Sequence, residues 1–506
     1  MDPSEFREKY PPEIRSWWEN TLKCPRYVVA PMVDASELAW RMLSRRYKAE
    51  LCYTPMLHSR IFTEDPKYRT DNLFNCVCPE DRPLLVQFCG NDPNVMVEAA
   101  KIAKPYCDGI DLNLGCPQKI ARNGRYGAFL MDEWELISTI VKRVRTEVQV
   151  PISCKIRIFP DVEKTIRYAK MLESAGCYML TVHGRTRDQK GMDTGLADWS
   201  YIRAVRNAVN IPVVANGNIQ YLRDVERCIA ETGVEGVMTA EGNLHNPALF
   251  ADESPTVWKM GLEYLELVQK YPCPLSYSRG HLFKLYQHMF SLPENCDVRK
   301  IVAKAESMND LMVATLLLKE RYEPYFTGDK VWTQPEQSNP EHAKLAHPHY
   351  LCQPYVRPPK KAHLIEDEVY EVQKPAEWED DSPQSGKRRK LAIPESLQAK
   401  LDPSITYSIN KLKKMAKNPK KDWDAKREPV VICTKCGTNP QGQKCEFQRC
   451  RPCCKSKCYN EELDCVGHKI LIKTVRTNAR ERDALKSNSS EAIDVICTEI
   501  KTHVES

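Results

Sequence analysis

The chain has 506 residues, 42% hydrophobic and 28% charged, and its 74 Lys and Arg against 68 Asp and Glu give a net charge of +6. That balance suits a globular protein of roughly two to four domains at ~150 residues each, and it excludes a collagen-like chain or one disordered throughout. No apolar run approaches the ~20 residues of a membrane helix, so no membrane association is expected. The first residues, MDPSEFREKYPPEIRSWW, lack the apolar stretch of a secretory signal. The expected setting is therefore reducing, cytoplasmic and/or nuclear, where 22 cysteines serve as metal ligands, catalytic groups or small hydrophobes rather than disulfides.

After an N-terminal extension (1–23), eight short apolar runs recur through 24–252: RYVVAPM (26–32), AELCYTPM (49–56), PLLVQFC (83–89), GIDLNLG (109–115), VPISCKIRI (150–158), CYMLTVHG (177–184), IPVVANG (211–217) and VEGVMTA (234–240). Helix-like stretches such as PNVMVEAAKIAKPY (93–106) and DEWELISTIVKRVRTEV (132–148) separate most of them. Runs of this kind, spaced by helices, predict an α/β protein with a parallel sheet buried on both faces. Eight is the count that closes a (β/α)8 TIM barrel. An open doubly wound sheet is the competitor, weakened because no G-x-G-x-x-G follows the first run.

A TIM barrel does its chemistry at the C-terminal ends of its strands. Those ends carry Met32, Gln87, Asn113 and Cys116, Lys155 and Arg157, His183, Asn216 and Asn218, and Glu241. NGN (216–218) and AEGN (240–243) end the seventh and eighth runs, where this fold binds phosphate. Gly217 and Gly242 there would let backbone N–H groups approach an anion, although each loop alone also reads as a turn glycine with an Asn cap. Lys155 must meet an anion or an electron-rich ring if it faces the barrel interior, or reach solvent if it lies past the strand end. His183 is either a satisfied core residue or a ligand. Cys116, between Gly115 and Pro117, is nucleophile, acid or bystander.

Residues 253–327 carry apolar residues at helical spacing, best in 274–290 and 305–323, and predict a small helical domain. Arg279, Lys284 and His288 lie there among Tyr277, Phe283 and Tyr286. This is either a phosphate- and base-binding face or the wet side of an amphipathic helix. Residues 328–428 read as a disordered, charged, Pro-rich linker with a docking island near 350–359. Within it 366–381 holds eight acids and one base, and 387–427 holds thirteen bases and four acids. Its KRRK (387–390) and KLKKMAKNPKK (411–421) suit import signals or nucleic-acid contacts. Eight cysteines then crowd a small module (429–470) before a polar tail (471–506). Cys433, Cys436, Cys445, Cys450, Cys453, Cys454, Cys458, Cys465 and His468 offer nine candidate ligands, enough for two tetrahedral zinc ions with one spare. The spacing does not pair ligands with ions, and free or redox-active thiols are the alternative.

The barrel resembles the tRNA-dihydrouridine synthases through APMVD (30–34), LLVQFCGNDP (84–93), DLNLGCPQ (111–118), GRYGAFL (124–130), CKIR (154–157), VHGRT (182–186), ANGNI (215–219) and AEGNLHNPALF (240–250), in family order. SRGHLFKL (278–285), CQPYVRP (352–358) and the cysteine-rich tail resemble the eukaryotic branch acting at D-loop positions 16 and 17. The resemblance implies an FMN enzyme, with NADPH or NADH as reductant, that reduces the uracil C5=C6 bond in tRNA. It implies that Pro31, Met32 and Val33 lie along the isoalloxazine, that Gln87 meets its polar edge, and that Lys155 and His183 also hold it. Asn216, Gly217, Asn218, Ala240, Glu241 and Gly242 would take its phosphate. Many relatives carry Arg where this chain has Glu241, so phosphate binding there must rest on backbone N–H groups and neighbours. Cys116 matches the catalytic acid, Asn113, Arg157 and Arg185 would face the uridine, and Arg279 and Lys284 would contact tRNA.

The implied step suits the residue types. Hydride goes from flavin N5 to uracil C6 and a proton from Cys116 to C5. A thiol of ordinary pKa near ~8.5 can deliver that proton at neutral pH, where a carboxyl group would be ionised. The uridine must leave the folded D-loop to reach the mouth. The protein is expected to be monomeric. A flavin barrel reducing a free pyrimidine, or a catalytically idle tRNA-binding protein, are the rival readings.

Overall fold

The computed structural model describes residues 8–333, 345–356, 431–436, 441–442, 444–468, 470–474 and 476–477. The acidic segment 366–381, the two basic segments, most of the linker and the tail beyond 477 lie outside the described residues. The described residues fall into two compact units, one on each side of residue 368.

In the first unit nine short strands lie in one sheet: β1 (Tyr27–Val29), β2 (Cys52–Tyr53), β3 (Leu57–His58), β4 (Leu84–Cys89), β5 (Gly109–Leu114), β6 (Ile152–Arg157), β7 (Met179–His183), β8 (Val213–Asn216) and β9 (Gly236–Thr239). Neighbours run in the order β1-β9-β8-β7-β6-β5-β4-β2, all parallel, and β3 adds to β4. Val28 bridges Leu51, with the Val29 N–H donating to Leu51 O at 2.9 Å, so the ends of the sheet meet in a nearly closed eight-stranded TIM barrel. Each predicted run contains one barrel strand; β3, two residues long, has no period of its own to reveal it.

The alternation of β6 shows why the barrel forms. Ile152, Cys154 and Ile156 face outward and are fully buried under helices, while Ser153, Lys155 and Arg157 face inward. The surrounding helices start on built-in caps. Asp92 accepts from the N–H groups of Asn94 and Val95 ahead of helix Pro93–Ala103, and Asp161 and Asp198 do likewise for Val162–Ser174 and Trp199–Ala208.

The N-terminal segment is part of this core. Trp17, Trp18 and Leu22 pack with the inward residues Val28, Leu51, Leu85, Met179, Val214 and Met238. Trp17 Nε1 donates to Asp108 O at 2.8 Å, just before β5, so the plug fills the end of the barrel opposite the mouth.

After β9, helices Val257–Lys270, Leu275–Leu285, Cys296–Lys304 and Met308–Thr327 form a second apolar core. Ala39, Trp40 and Leu43 of helix Leu38–Arg46, which follows the β1 loop, belong to it. Buried Glu37 accepts from Tyr264 Oη at 2.8 Å and His281 Nε2 at 3.0 Å, and the Trp40 ring stacks on His281. Burial alone would raise the Glu37 pKa; the His281 and Tyr264 contacts outweigh it and hold the carboxyl below its ordinary value. Segment 345–356 crosses this bundle. Leu351 bridges Thr256, Cys352 N donates to Pro255 O, and His288 Nε2 meets Pro354 O.

The second unit holds helix Arg451–Asn460 and a two-stranded antiparallel ribbon, Asp464–Cys465 with Ile470–Leu471. Among the described residues no helix is long and apolar enough to cross a membrane.

Candidate active site in the barrel mouth

The inward positions of β4 to β8 bring Gln87, Asn113, Lys155, His183 and Asn216 to one end of the barrel. Cys116 lies just beyond β5, half-buried against a small cluster of Cys89, Ala121 and Tyr126. Its loop is held from three directions. Asn113 Oδ1 accepts from the N–H groups of Gly115 and Cys116 at 3.1 and 2.9 Å. Arg157 Nε donates to Gly115 O at 2.8 Å. Ala128 N donates to Cys116 O at 3.1 Å. The last contact depends on Gly127, whose φ is +64° and where a Cβ would lie 2.8 Å from Cys116 O.

Below Cys116 runs a chain of side chains with a member that residue spacing did not single out. Asn113 Nδ2 donates to Gln87 Oε1, Gln87 Nε2 donates to Asp111 Oδ2, both at 2.8 Å, and Ser153 Oγ donates to Asp111 Oδ1 at 2.6 Å. Asp111 is fully buried inside the barrel. Burial raises its pKa to about 6, against the lowering pull of Ser153, Gln87 and Lys155. The signal for it was the i, i+2 pairing with Asn113 in DLNL, which puts both side chains on the inner face of β5.

Lys155 Nζ donates to Asn216 Oδ1 at 3.0 Å. Burial lowers its pKa to about 8 with help from Arg157, against Asp111 and Cys116. His183 is held well below its ordinary pKa by burial and then by Lys155, Arg157 and Arg185, so it is neutral at pH 7. Arg185 Nη1 lies 3.0 Å from His183 Nε2; as the guanidinium only donates, Nε2 accepts and Nδ1 carries the proton. Burial, followed by Arg185, likewise lowers Arg157 to about 10.

Arg157 and Arg185, both expected to face the uridine, also hold the loops around the mouth. Arg157 also donates from Nη1 to the carbonyls of Thr186 and Gln189, and Arg185 donates to Gly195 O and to Asn218 Oδ1. Both clamp the loops that frame the mouth.

A cleft of about 430 Å³ lies beside these residues, its lining including His183, Arg185, Gly217, Asn218, Glu241 and Tyr355. Gly217 has φ +116°, and a Cβ there would lie 2.6 Å from Ala197 Cβ. At Gly242 a Cβ would fall 2.3 Å from Ile219 O, so close packing of the two loops requires this glycine whatever the cleft holds. The Asn218 side chain turns away to Ala197, and Asn216 Nδ2 donates to Met238 O. Donors to an anion would thus come from loop N–H groups rather than from these amides. Tyr355 reaches the cleft from segment 345–356 and stacks on His245.

In the β1 loop Pro31 and Met32 are half-buried, and Val33 is 59% exposed, an apolar shelf at the mouth. Tyr277 and Lys284 of the helical bundle lie close enough to this loop to feel Asp34. Arg279 is half-buried on the same helix, with Nη1 near Ala303 O. Of the rest of the expected basic and aromatic face, Phe283 is half-buried on the bundle core, Tyr286 is fully buried and bonded to Thr315, and His288 is buried against Pro354.

Comparison with known proteins places the chain in a family. The family described as dihydrouridine synthase matches residues 28–315, more than half of the chain. A Mus musculus protein named tRNA-dihydrouridine(16/17) synthase NAD(P)(+)-like is 49% identical over 459 residues, 90% of this chain and 90% of its own. The Schizosaccharomyces pombe tRNA-dihydrouridine(16/17) synthase is 43% identical over 363 residues, 67% of this chain and 90% of its own, and that of Saccharomyces cerevisiae is 43% identical over 359 residues, 66% and 84%. The match spans the barrel strands and most of the helical bundle, and the chain belongs to the dihydrouridine synthases.

Proposed function

We propose that this protein is a tRNA-dihydrouridine synthase that reduces uridines 16 and 17 of the D-loop, using FMN and NAD(P)H. The observation that carries the reading is the placement of Cys116. Its thiol stands at the mouth of a barrel whose inner wall offers Gln87, Lys155 and His183, and its backbone is fixed by Asn113, Arg157 and Gly127.

The mouth fits FMN. A bare glycine turn at 217 opens on a cleft of phosphate-and-ribityl size. A half-buried ammonium at Lys155 stands beside it, and Val33 offers a flat apolar shelf. Pro31, Met32, Val33, Gln87, Lys155 and His183 would hold the ring system. N–H groups of 216–218 and 240–242 would hold the phosphate, with Arg185 at the cleft wall supplying positive charge and Glu241 none. When bound and reduced, FMN supplies the hydride.

The chain's own residues supply the rest. Cys116 delivers a proton to uracil C5. Lys155 and Arg157 set a positive field over the mouth in which charge developing on the uracil O4 is stabilised. His183, neutral and fixed by Arg185, adds no further charge. Gln87 keeps one amide hydrogen and one lone pair after its bonds to Asp111 and Asn113. Arg279 and Lys284 would meet tRNA phosphates on the bundle side.

The test is conversion of uridine to dihydrouridine in unmodified tRNA by the purified protein with FMN and NAD(P)H, read position by position. Product at 16 and 17 that collapses in Cys116→Ala supports the reading. Flavin that turns over with NAD(P)H while every tRNA position stays unchanged, and a free pyrimidine is reduced instead, overturns the substrate.

A further inference from the structure

We propose that the C-terminal unit binds two zinc ions in interleaved sites, Cys433, Cys436, Cys450 and Cys453 around one ion and Cys445, Cys454, Cys465 and His468 around the other, with Cys458 outside both. This goes beyond the reaction of the barrel and uses none of its residues.

The geometry is that of a tetrahedron. In each group the four ligand atoms lie within 4.8 Å of one another. Cys436 and Cys450 sulfurs are 3.8 Å apart, Cys445 and Cys454 3.6 Å, Cys445 and Cys465 4.0 Å, and Cys465 Sγ is 3.7 Å from His468 Nδ1. A zinc–sulfur bond of ~2.3 Å puts tetrahedral sulfurs about 3.8 Å apart, whereas a disulfide needs ~2.05 Å. Thiols at this spacing are too far apart to be bonded and close enough to share a cation.

The surroundings support ligation. Lys435 N donates to Cys433 Sγ at 3.4 Å and Arg449 N to Cys445 Sγ at 3.5 Å, as backbone N–H groups do to metal-bound thiolates. His468 presents Nδ1 to the sulfurs while its Nε2 lies over Gly442, where a Cβ would come within 2.3 Å. A four-thiolate zinc carries a charge of −2 and a three-thiolate one −1. Lys435, Lys444, Arg449, Arg451 and Lys455 stand close in sequence to offset them.

The chain order fixes how the sites depend on each other. Cys445 of the second site lies between the two halves of the first, and the adjacent Cys453 and Cys454 of helix Arg451–Asn460 serve different ions. The sites therefore cannot fold as separate fingers. Cys458 sits one turn after Cys454, with sulfurs 3.9 Å apart, but it is not among the second site's four ligand atoms.

The test is the metal content of the full-length protein. Two zinc ions per chain are expected, unchanged in Cys458→Ser. Cys465→Ser should lose the second site, and Cys433→Ser the first. Because the sites are interleaved, the zinc left in either variant should be stripped by chelator at least about tenfold faster than zinc in the unaltered protein. Cobalt substitution reads the ligand sets independently, since sulfur-to-metal charge-transfer absorption should fall more in Cys433→Ser than in His468→Asn. Iron in place of zinc, one zinc per chain, no zinc with freely reactive thiols, or loss of an ion in Cys458→Ser overturns the proposal.

Discussion

Gln87 Nε2 donates to Asp111 Oδ2 at 2.8 Å inside the barrel, and this one bond decides which way the Gln87 amide faces. With the nitrogen turned down to Asp111, the oxygen is turned up to Asn113 Nδ2, and Asn113 Oδ1 is left to hold the Cys116 backbone. A buried carboxylate thus sets the orientation of two amides and, through them, of the thiol loop.

Asp111→Asn keeps an acceptor for Gln87 and offers a donor to Ser153, so the chain can re-form without charge. Asp111→Ala leaves Gln87 free to flip and buried polar atoms unpaired, at a cost of about 1–3 kcal/mol. Dihydrouridine formation is expected to fall at least tenfold in Asp111→Ala and only a few-fold in Asp111→Asn. The two differ also in pH response. The native carboxyl titrates at about 6 against 3.8 when unfolded, so between those values the folded state binds more protons and this group's contribution to stability falls as pH rises. Urea unfolding from pH 4 to 7 should show that decline in the unaltered protein and a weaker one in Asp111→Asn.

Gly127→Ala tests how the NLGCPQ and GRYGAFL segments meet. A methyl group at φ +64° is strained, and here it also strikes Cys116 O at 2.8 Å. The contact is with backbone, so the Cys116 loop must shift. A displacement near 1 Å in a proton donor costs on the order of 100-fold in rate. Turnover should fall by that order while FMN affinity, set mostly by other loops, changes little; unaltered turnover in a folded Gly127→Ala protein would detach the glycine from the thiol.

Lys155 predicts a pH profile for cofactor binding. Burial lowers the ammonium to about 8, with Arg157 adding to the shift. Below that pH it is charged and attracts an electron-rich ring and a phosphate; above it the attraction is lost. FMN affinity of the flavin-free protein is expected to weaken as pH rises through about 8, and Lys155→Met should flatten the curve. Stability runs the other way: unfolded Lys155 binds its proton up to 10.5, so the folded state gains relative stability from about 8 to 10.5. Fluorescence titration of FMN and thermal unfolding across pH 7 to 10 separate the two.

The strands were legible because two-sided burial writes a continuous apolar run, and the inward polar residues Gln87, Asn113, Lys155 and His183 interrupt those runs near their ends. Asp111 was harder to see. It sits mid-strand among apolar neighbours, and only the register with Gln87 and Ser153 shows why a carboxyl is tolerated. Tyr355 could not be placed from local sequence, since it arrives at the cleft from a segment 110 positions after His245 along the chain. Tyr286 and His288 looked like part of a basic, aromatic face because a helix of mixed composition does not announce which side is inward. Their partners Thr315 and Pro354 lie on other elements.

The N-terminal plug gives a prediction for stability rather than chemistry. Trp18 is fully buried and packs with Trp17 and Leu22 against the inward residues at the far end of the barrel from Cys116. A TIM barrel is a filled core, not a pore, so something must close that end. Here the bottom layer is built from Val28, Leu51, Leu85, Val214 and Met238, side chains of middling size that leave space for the indoles. Trp18→Ala should cost about 3–5 kcal/mol through lost burial and the cavity it leaves. At subsaturating denaturant the variant that remains folded should keep its FMN affinity, because the mouth is built by the opposite strand ends. A Trp18→Phe protein, which refills most of the volume, should recover more than half of the lost stability. If Trp18→Ala unfolds at the same denaturant concentration as the unaltered protein, the indole is not part of the barrel core.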